Sequence, residues 1–484
     1  MKKALFLVHR YMGLALCLIM AAWCLSGVVM MYVGYPALAQ RDRIAALERL
    51  SVDHCCNVPA RAPDLAGIPL SSFDIEMMED HPVLRLVDTF GPVAIVNLQT
   101  GDWKTEISLD DAKKIAADFF SLPATAASSL PVAIVGHDQW TVSGEFDADR
   151  PLFKVARGDP AGTEIYIASS SGKVVQETTR WQRGWNWVGS VVHWVYFTDL
   201  RRDPAVWSQV VIWASLLGAF LTVIGIWFGI SQIRWRGGVR WTPYRGLKYW
   251  HHVAGLAFGV LTLTWVASGF LSMNPWGLLE GGGAGGESYR LRDYDLTSDD
   301  ALAAARRLAA KGIDGSVKWI SSAPLEGRLY LREWTSNGMV RIDGETLEPA
   351  PLTAHGLRKL ASLLKPGTRI ESQELIRQGD SYYFAHHDRP TFPVYRVILA
   401  DAQHTRYYLD PADGRLIQKT DRNARLYRWL FDAVHRWDFA AAIRQRGIWD
   451  VLMLVLMTGV SAVCLTGVYM AYSFIRGRPG REAR

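Results

Sequence analysis

Four of the twelve histidines form two pairs with one shared spacing. His9 and His251 are 242 residues apart, and so are His193 and His435. Neutral imidazole offers a nitrogen lone pair that can be buried without charge and still bind a metal. Two imidazoles that face each other can hold a haem iron axially, one from each side. Two such pairs, one near each face of a bilayer, would make a two-haem wire. The competing reading has these histidines packing beside tryptophans at the membrane surface. His252 follows His251 directly, and a one-residue rotation of the helix would present it instead. Arg10 and Lys248 lie near the first pair, and Arg436 and Arg201 near the second. These cations suit haem propionates, and equally suit topology and lipid head groups.

The elements that carry these residues are apolar. Residues 11–40, 204–233, 249–279 and 451–475 contain no Asp, Glu, Lys or Arg. A helix needs roughly 20 apolar residues to span a bilayer, so each stretch predicts a transmembrane helix. Lys2, Lys3 and Arg10, then Arg234, Arg236, Arg240, Arg245 and Lys248, then Arg476, Arg478, Arg481 and Arg484 flank the spans on one side. The positive-inside rule makes that side the cytoplasm. This division predicts a first transmembrane helix over 1–40 and a periplasmic domain over 41–182. An interfacial helix and the second span follow over 183–235, then a cytoplasmic loop over 236–248. The third span covers 249–279, a second periplasmic domain 280–424, an interfacial helix and the fourth span 425–475, and a tail 476–484. The net charge of +6 needs no nucleic acid to explain it; topology and anionic lipid suffice. Ala37-Leu38-Ala39 resembles a cleavage site, but the run before it far exceeds a signal h-region of roughly 7–15 residues. The first helix therefore reads as a retained anchor in a bacterial inner membrane.

The chain is a duplication. With the same offset, Gly13 matches Gly255, Trp23 matches Trp265, Ser26 matches Ser268 and Gly27 matches Gly269. Pro151 matches Pro393, Tyr166 Tyr408, Trp187 Trp429, Trp207 Trp449 and Gly225 Gly467. Each half contributes two spans, so the halves run in the same direction as a parallel repeat about an axis along the membrane normal. Matched residues then face each other if the halves form a four-helix bundle. The shared glycines and serines suit close helix approach and room for a flat cofactor.

Each soluble segment reads as α+β. Helices are predicted over Ser108–Phe120, Leu352–Leu364 and Thr297–Ala310, the first and last opening on a hydroxyl and acidic residues. Strand-like alternation follows in Arg328–Trp334 and Val340–Ile342. Gly101-Asp102, Ser171-Gly172, Asp343-Gly344 and Asp413-Gly414 are hairpin signals. No nucleophile elbow, zinc-protease motif or phosphate loop is present. Five cysteines are too few for a disulfide framework. Cys17, Cys24 and Cys464 read as membrane packing residues. Cys55 and Cys56 are an adjacent loop pair, with a metal or redox role open beside His54. His386 and His387 are candidates to line a substrate site, or are solvated loop residues. His81, His137, His355 and His404 read as surface residues.

The pattern His9-Arg10-Tyr11-Met12-Gly13-Leu14, a long apolar run and Ser26-Gly27 resembles the opening of the PepSY-associated transmembrane helix family. Val192-His193 and Ala433-Val434-His435-Arg436-Trp437 resemble its later motifs, and Tyr408 to Gly414 resembles a PepSY hairpin. The resemblance covers essentially the whole chain and departs at His251-His252, where the arginine is missing. It implies a membrane α-helical four-helix bundle of two tandem parallel repeats, with periplasmic α+β PepSY-like domains. It implies two b-type haems with His9, His193, His251 and His435 as axial ligands. It further implies a ferric-chelate reductase that releases iron from a ferric siderophore or other ferric chelate in the periplasm. No flavin or nicotinamide motif is present, so a quinol or a cytoplasmic flavoprotein must supply electrons. The alternative is a membrane-anchored PepSY interaction protein that restrains a periplasmic protease. A transporter is less consistent, because the four spans carry no acidic residue.

Overall fold

The computed structural model describes residues 2–52, 55–56, 65–234, 241–384 and 390–477. Four helices are long and apolar enough to cross a membrane: Lys2–Met30, Pro204–Ser231, Gly246–Ser272 and Arg446–Ile475. At about 1.5 Å per residue each exceeds the roughly 30 Å of a bilayer core. The second begins cleanly because Pro204 fits a first turn and the Asp203 carboxylate accepts from the Ala205 and Val206 N–H groups.

Two of these helices are shorter than their apolar runs. The first stops at Met30 rather than continuing to residue 40. The segment after it is held extended: Asn186 Nδ2 donates to the Gly34 carbonyl (3.0 Å) and Gln176 Nε2 to that of Pro36 (2.8 Å). The third stops at Ser272, where left-handed Asn274 leads into the Pro275–Gly277 turn. Both runs lack charge but carry Gly and Pro in their tails, Gly34 with Pro36 and Pro275 with Gly277, which do not sustain a helix.

The first helix packs against the fourth and the second, and the third packs against the same two. Their directions alternate, so the β-rich segments gather at one end, the sheet side. The termini and the connection between the second and third helices lie at the far side. Glycines allow the close approach. Gly459 lies under the Phe258 ring, Gly218 against Val266 and Gly259 against Ile226. Buried Thr222 and Thr262 return their hydroxyl protons to carbonyls one turn back, so neither hydroxyl is left unpaired among the helices.

The β-rich part has three sheets. One contains seven strands drawn from both halves. Strand Ser72–Met78 of the first half pairs antiparallel with Val317–Ser322 of the second, with Ile75 opposite Ile320. The two halves thus form one continuous sheet across their pseudo-dyad. Its apolar face takes Phe73, Ile75, Leu84 and Leu331 into a core with Ala301, Ala304 and Leu308 of helix Ser298–Lys311. Its other face buries Glu76, which pairs with Arg43 at 2.6 Å and Arg85 at 2.8 Å.

Below it, each half builds a four-stranded antiparallel sheet: Val132–Val135, Leu152–Ala156, Glu164–Ala168 and Val174–Thr178, and then Ile370–Ile376, Val394–Leu399, Arg406–Leu409 and Leu416–Thr420. Helices Leu109–Phe119 and Ala354–Leu364 back them, capped by Ser108 and Thr353. The pair is 245 residues apart rather than 242, so the repeat slips here. At Asp343-Gly344 the chain folds back on itself as a hairpin turn: Pro349 bridges Ile342 antiparallel, and the Ala350 N–H donates to the Arg341 carbonyl before helix Ala354–Leu364 begins. Cys55 and Cys56 are bonded to each other and buried in the shared core. A polar pin recurs in both halves. The Tyr166 hydroxyl donates to Asp138, which pairs with Lys154; Tyr408 donates to Asp380, which pairs with Arg396.

Candidate functional site

On the sheet side, His193 and His435 meet. Each sits at the end of a short helix just before a membrane-length helix. Their ring centres are 6.0 Å apart, with the planes at 70°. A metal–imidazole bond is about 2.0–2.1 Å, so two imidazoles on opposite sides of one metal have ring centres roughly 6 Å apart.

Both rings are oriented through Nδ1. His193 Nδ1 lies 3.0 Å from the Trp23 carbonyl and 3.2 Å from Ser26 Oγ. His435 Nδ1 lies 2.9 Å from Ser268 Oγ. Each serine gives its own proton to a tryptophan carbonyl, Trp23 at 3.1 Å and Trp265 at 2.8 Å, so its oxygen accepts. The proton therefore sits on Nδ1, and the lone pair is on Nε2, the tautomer a metal ligand needs. Burial pushes the His193 imidazole below its ordinary range. Burial, with His193 and Arg436 nearby, pushes His435 down to about 3. Both are neutral.

The chain turns sharply two residues after each histidine. Val195 and Trp437 are both left-handed, at φ 55° and 53°. A β-branched residue there is strained, and such strain gathers at functional positions. Gly27 completes the cradle: a Cβ would lie 3.4 Å from His193 Cε1 and 2.7 Å from Met457 Cε. The indole N–H groups of Trp265 and Trp437 are buried with no hydrogen-bond partner. Sequence reading missed these two donors, although the match of Trp265 with Trp23 marked one of them.

On the far side, His9 stands on the first membrane-length helix and His251 on the third, each packed against a glycine of another such helix. His9 lies against Gly225, where a Cβ would sit 2.8 Å from its Cε1. His251 lies against the matching Gly467, at a looser 3.7 Å. His251 Nδ1 meets Thr466 Oγ1 at 2.9 Å, and that hydroxyl donates to the Ala462 carbonyl. His9 Nδ1 is buried without a partner, because Ile224 stands in the first half where Thr466 stands in the second.

His252 points elsewhere. Its Nδ1 meets Thr242 Oγ1 and its Nε2 the Gly229 carbonyl, both at 2.8 Å, and its ring stacks on Trp241. Arg10 lies over the Phe474 ring at 3.9 Å. Arg436 is exposed and pairs with Asp432 at 3.6 Å. Arg201 is held over Tyr196 and Trp207, with Nε and Nη1 buried and unpartnered. His54, His386 and His387 lie outside the described residues. Among the described residues no three His, Cys, Asp or Glu converge; the histidines meet in twos.

No family model matches the chain, and no curated protein matches it.

Proposed function

We propose that the protein is a two-haem b-type transmembrane cytochrome that carries electrons across the inner membrane and reduces a ferric chelate in the periplasm. The observation that carries this reading is the 6.0 Å separation of His193 and His435, with both Nδ1 atoms tied back. Two imidazoles suffice where a macrocycle supplies the remaining ligands, which suits histidines that come in twos. On this reading the four apolar helices are a transmembrane four-helix bundle and the α+β units are periplasmic PepSY-like domains. Basic residues crowding the far side support a cytoplasmic assignment of that face.

His193 and His435 would hold the haem on the sheet side, and His9 and His251 the haem on the far side. His251 is favoured over His252, because both nitrogens of His252 are already engaged. These four histidines would hold the haems, and bound haem would supply one-electron transfer there. The chain's own task is orientation and exclusion of water. Trp23, Ser26, Trp265 and Ser268 fix the sheet-side rings. Thr466 fixes His251, while the glycines at 27, 225 and 467 leave space beside the imidazoles. Met20, Ala21, Leu221, Leu261, Val460 and Cys464 fill the interior with apolar packing. The unpartnered Trp265 and Trp437 donors suit the polar edge of a haem. Arg436 suits it less, since it is exposed and paired.

The electron arrives from a separate donor, a quinol or a cytoplasmic flavoprotein, at the far side. One electron converts Fe(III) in the chelate to Fe(II), which hard oxygen ligands hold less firmly, so iron is released. No acid or base is needed. The test is to mix dithionite-reduced protein with ferric citrate and trap Fe(II) with ferrozine. Loss of the reduced optical bands in step with Fe(II) formation is expected. A reduced protein that ferric citrate leaves unchanged contradicts the reductase reading.

A further inference from the structure

We propose that electrons leave the sheet-side pair through the second half alone, along Phe431 and Tyr427. They reach an anionic ferric chelate held in a cavity bounded by Glu287, Arg290, Lys365, Tyr407, Lys419 and Asp421. This rests on the two-haem reading above. His435, Phe431 and Tyr427 are spaced four residues apart on one helical run, so they stack on one face. The ring centres of Phe431 and His435 are 5.4 Å apart, and those of Tyr427 and Phe431 5.1 Å. With His193 this makes a column of four rings in which no step exceeds 6.0 Å. A π-helical turn, Arg428–Ala433, lies within the run, a feature that often marks functional sites.

The column and the cavity share a helix: Tyr427 ends Arg422–Tyr427, where its hydroxyl donates to the Ser272 carbonyl, and the cavity lies at the other end. Asp421 caps the same helix by accepting from the Ala424 N–H, and it also accepts from the Gly282 N–H at 2.5 Å. The cavity holds about 430 Å³. Its two carboxylates are already engaged: Glu287 takes Lys419 at 2.8 Å and the Tyr407 hydroxyl at 2.9 Å, and Asp421 takes backbone N–H groups. Arg290 and Lys365 stand at its rim, 42% and 48% exposed. Arg290 donates Nη2 to the Leu364 carbonyl and Nε to that of Leu363, and Lys365 pairs with Asp401. The guanidinium keeps further donors for an oxygen-rich anion. The chemistry fits a small chelate bearing carboxylate groups.

Neither part exists in the first half. Gly189 stands where the second half has Phe431, and even a Cβ there would lie 2.9 Å from Val29 Cγ1. Ile165, Glu177 and Thr179 replace Tyr407, Lys419 and Asp421. The ring column and the polar cavity are thus lost together across an otherwise duplicated chain. In the step itself one electron passes from the sheet-side site to Fe(III) of the chelate. A haem held by His193 and His435 would be oxidised by one unit as the chelate iron is reduced by one; no covalent bond forms and no proton moves.

Two measurements on the full chain in detergent test this. Gallium(III) citrate, which accepts no electron, is titrated calorimetrically. Wild type binds it, and joint Arg290→Glu and Lys365→Glu weakens binding at least about tenfold through charge reversal. Equal affinity overturns the cavity. Reduced protein is then mixed with saturating ferric citrate. Tyr427→Leu and Phe431→Leu, each with intact reduced bands, slow re-oxidation several-fold, while Trp185→Leu at the matching first-half position does not. Equal rates in all variants overturn the route while leaving the two-haem reading intact. A colourless protein overturns the route together with that reading, and the gallium titration still decides the cavity.

Discussion

A histidine is committed by what its second nitrogen touches. His251 and His252 are neighbours in sequence, yet only His251 keeps a nitrogen uncommitted, because Thr466 takes its Nδ1. His252 spends both nitrogens on Thr242 and Gly229. The expected outcome is that His251→Ala halves the haem per chain, whereas His252→Ala leaves two. Pyridine haemochrome quantification reads this directly; equal losses from both variants would contradict the assignment. The histidine pairs themselves are legible in the sequence through a constant offset. The choice within the doublet is not, because adjacent positions on a helix differ by about 100°. Here the packing of Trp241 decides which way each ring faces. The roles of Ser26, Ser268 and Thr466 are equally hidden. Their hydroxyls matter only through carbonyls one turn back, which a residue list does not show.

At the scale of elements, the glycines decide what fits between helices. Gly225 and Gly467 occupy matching positions but tolerate change differently. A Cβ at Gly225 would press on His9 at 2.8 Å, whereas one at Gly467 would clear His251 by 3.7 Å. Gly225→Ala is therefore expected to lower haem content towards one per chain, and Gly467→Ala to leave it unchanged. Haem quantification on protein of matched yield checks this. The four apolar helices are legible because length and lack of charge suffice. Their ends are less so. The first run continues uncharged for ten residues beyond Met30, but Asn186 and Gln176 capture its carbonyls from distant parts of the chain. The short-range signals fared well at Ser108 and Thr297, which cap the helices they announced; the helix expected from Leu352 begins instead at Ala354, capped by Thr353.

At the scale of the molecule, the halves are joined twice, through the packed helices and through the pairing of Ile75 with Ile320. The second junction is invisible to a constant offset, because it forms where the repeat slips. Glu76 anchors it between Arg43 and Arg85. Burial alone would raise this carboxyl, but Arg43, Arg85 and Lys173 hold it down to about 2. A carboxyl depressed on folding stabilises above its ordinary value of 4.5 and loses that contribution as pH falls towards 2. Unfolding of the β-rich part, followed by tryptophan fluorescence, should ease across that window. Glu76→Gln should flatten this dependence and cost about 3–5 kcal/mol at neutral pH, because it leaves Arg85 buried without its partner. An unchanged urea midpoint would contradict that role.

The central claim is that two histidine pairs hold two haems. The most direct measurement is the optical spectrum of the purified chain, oxidised and dithionite-reduced, with haem counted per chain. Sharp reduced b-type bands at two haems per chain are expected, halved by His9→Ala and by His193→Ala. A colourless protein from haem-replete cells contradicts it and leaves a membrane-anchored interaction protein as the better reading.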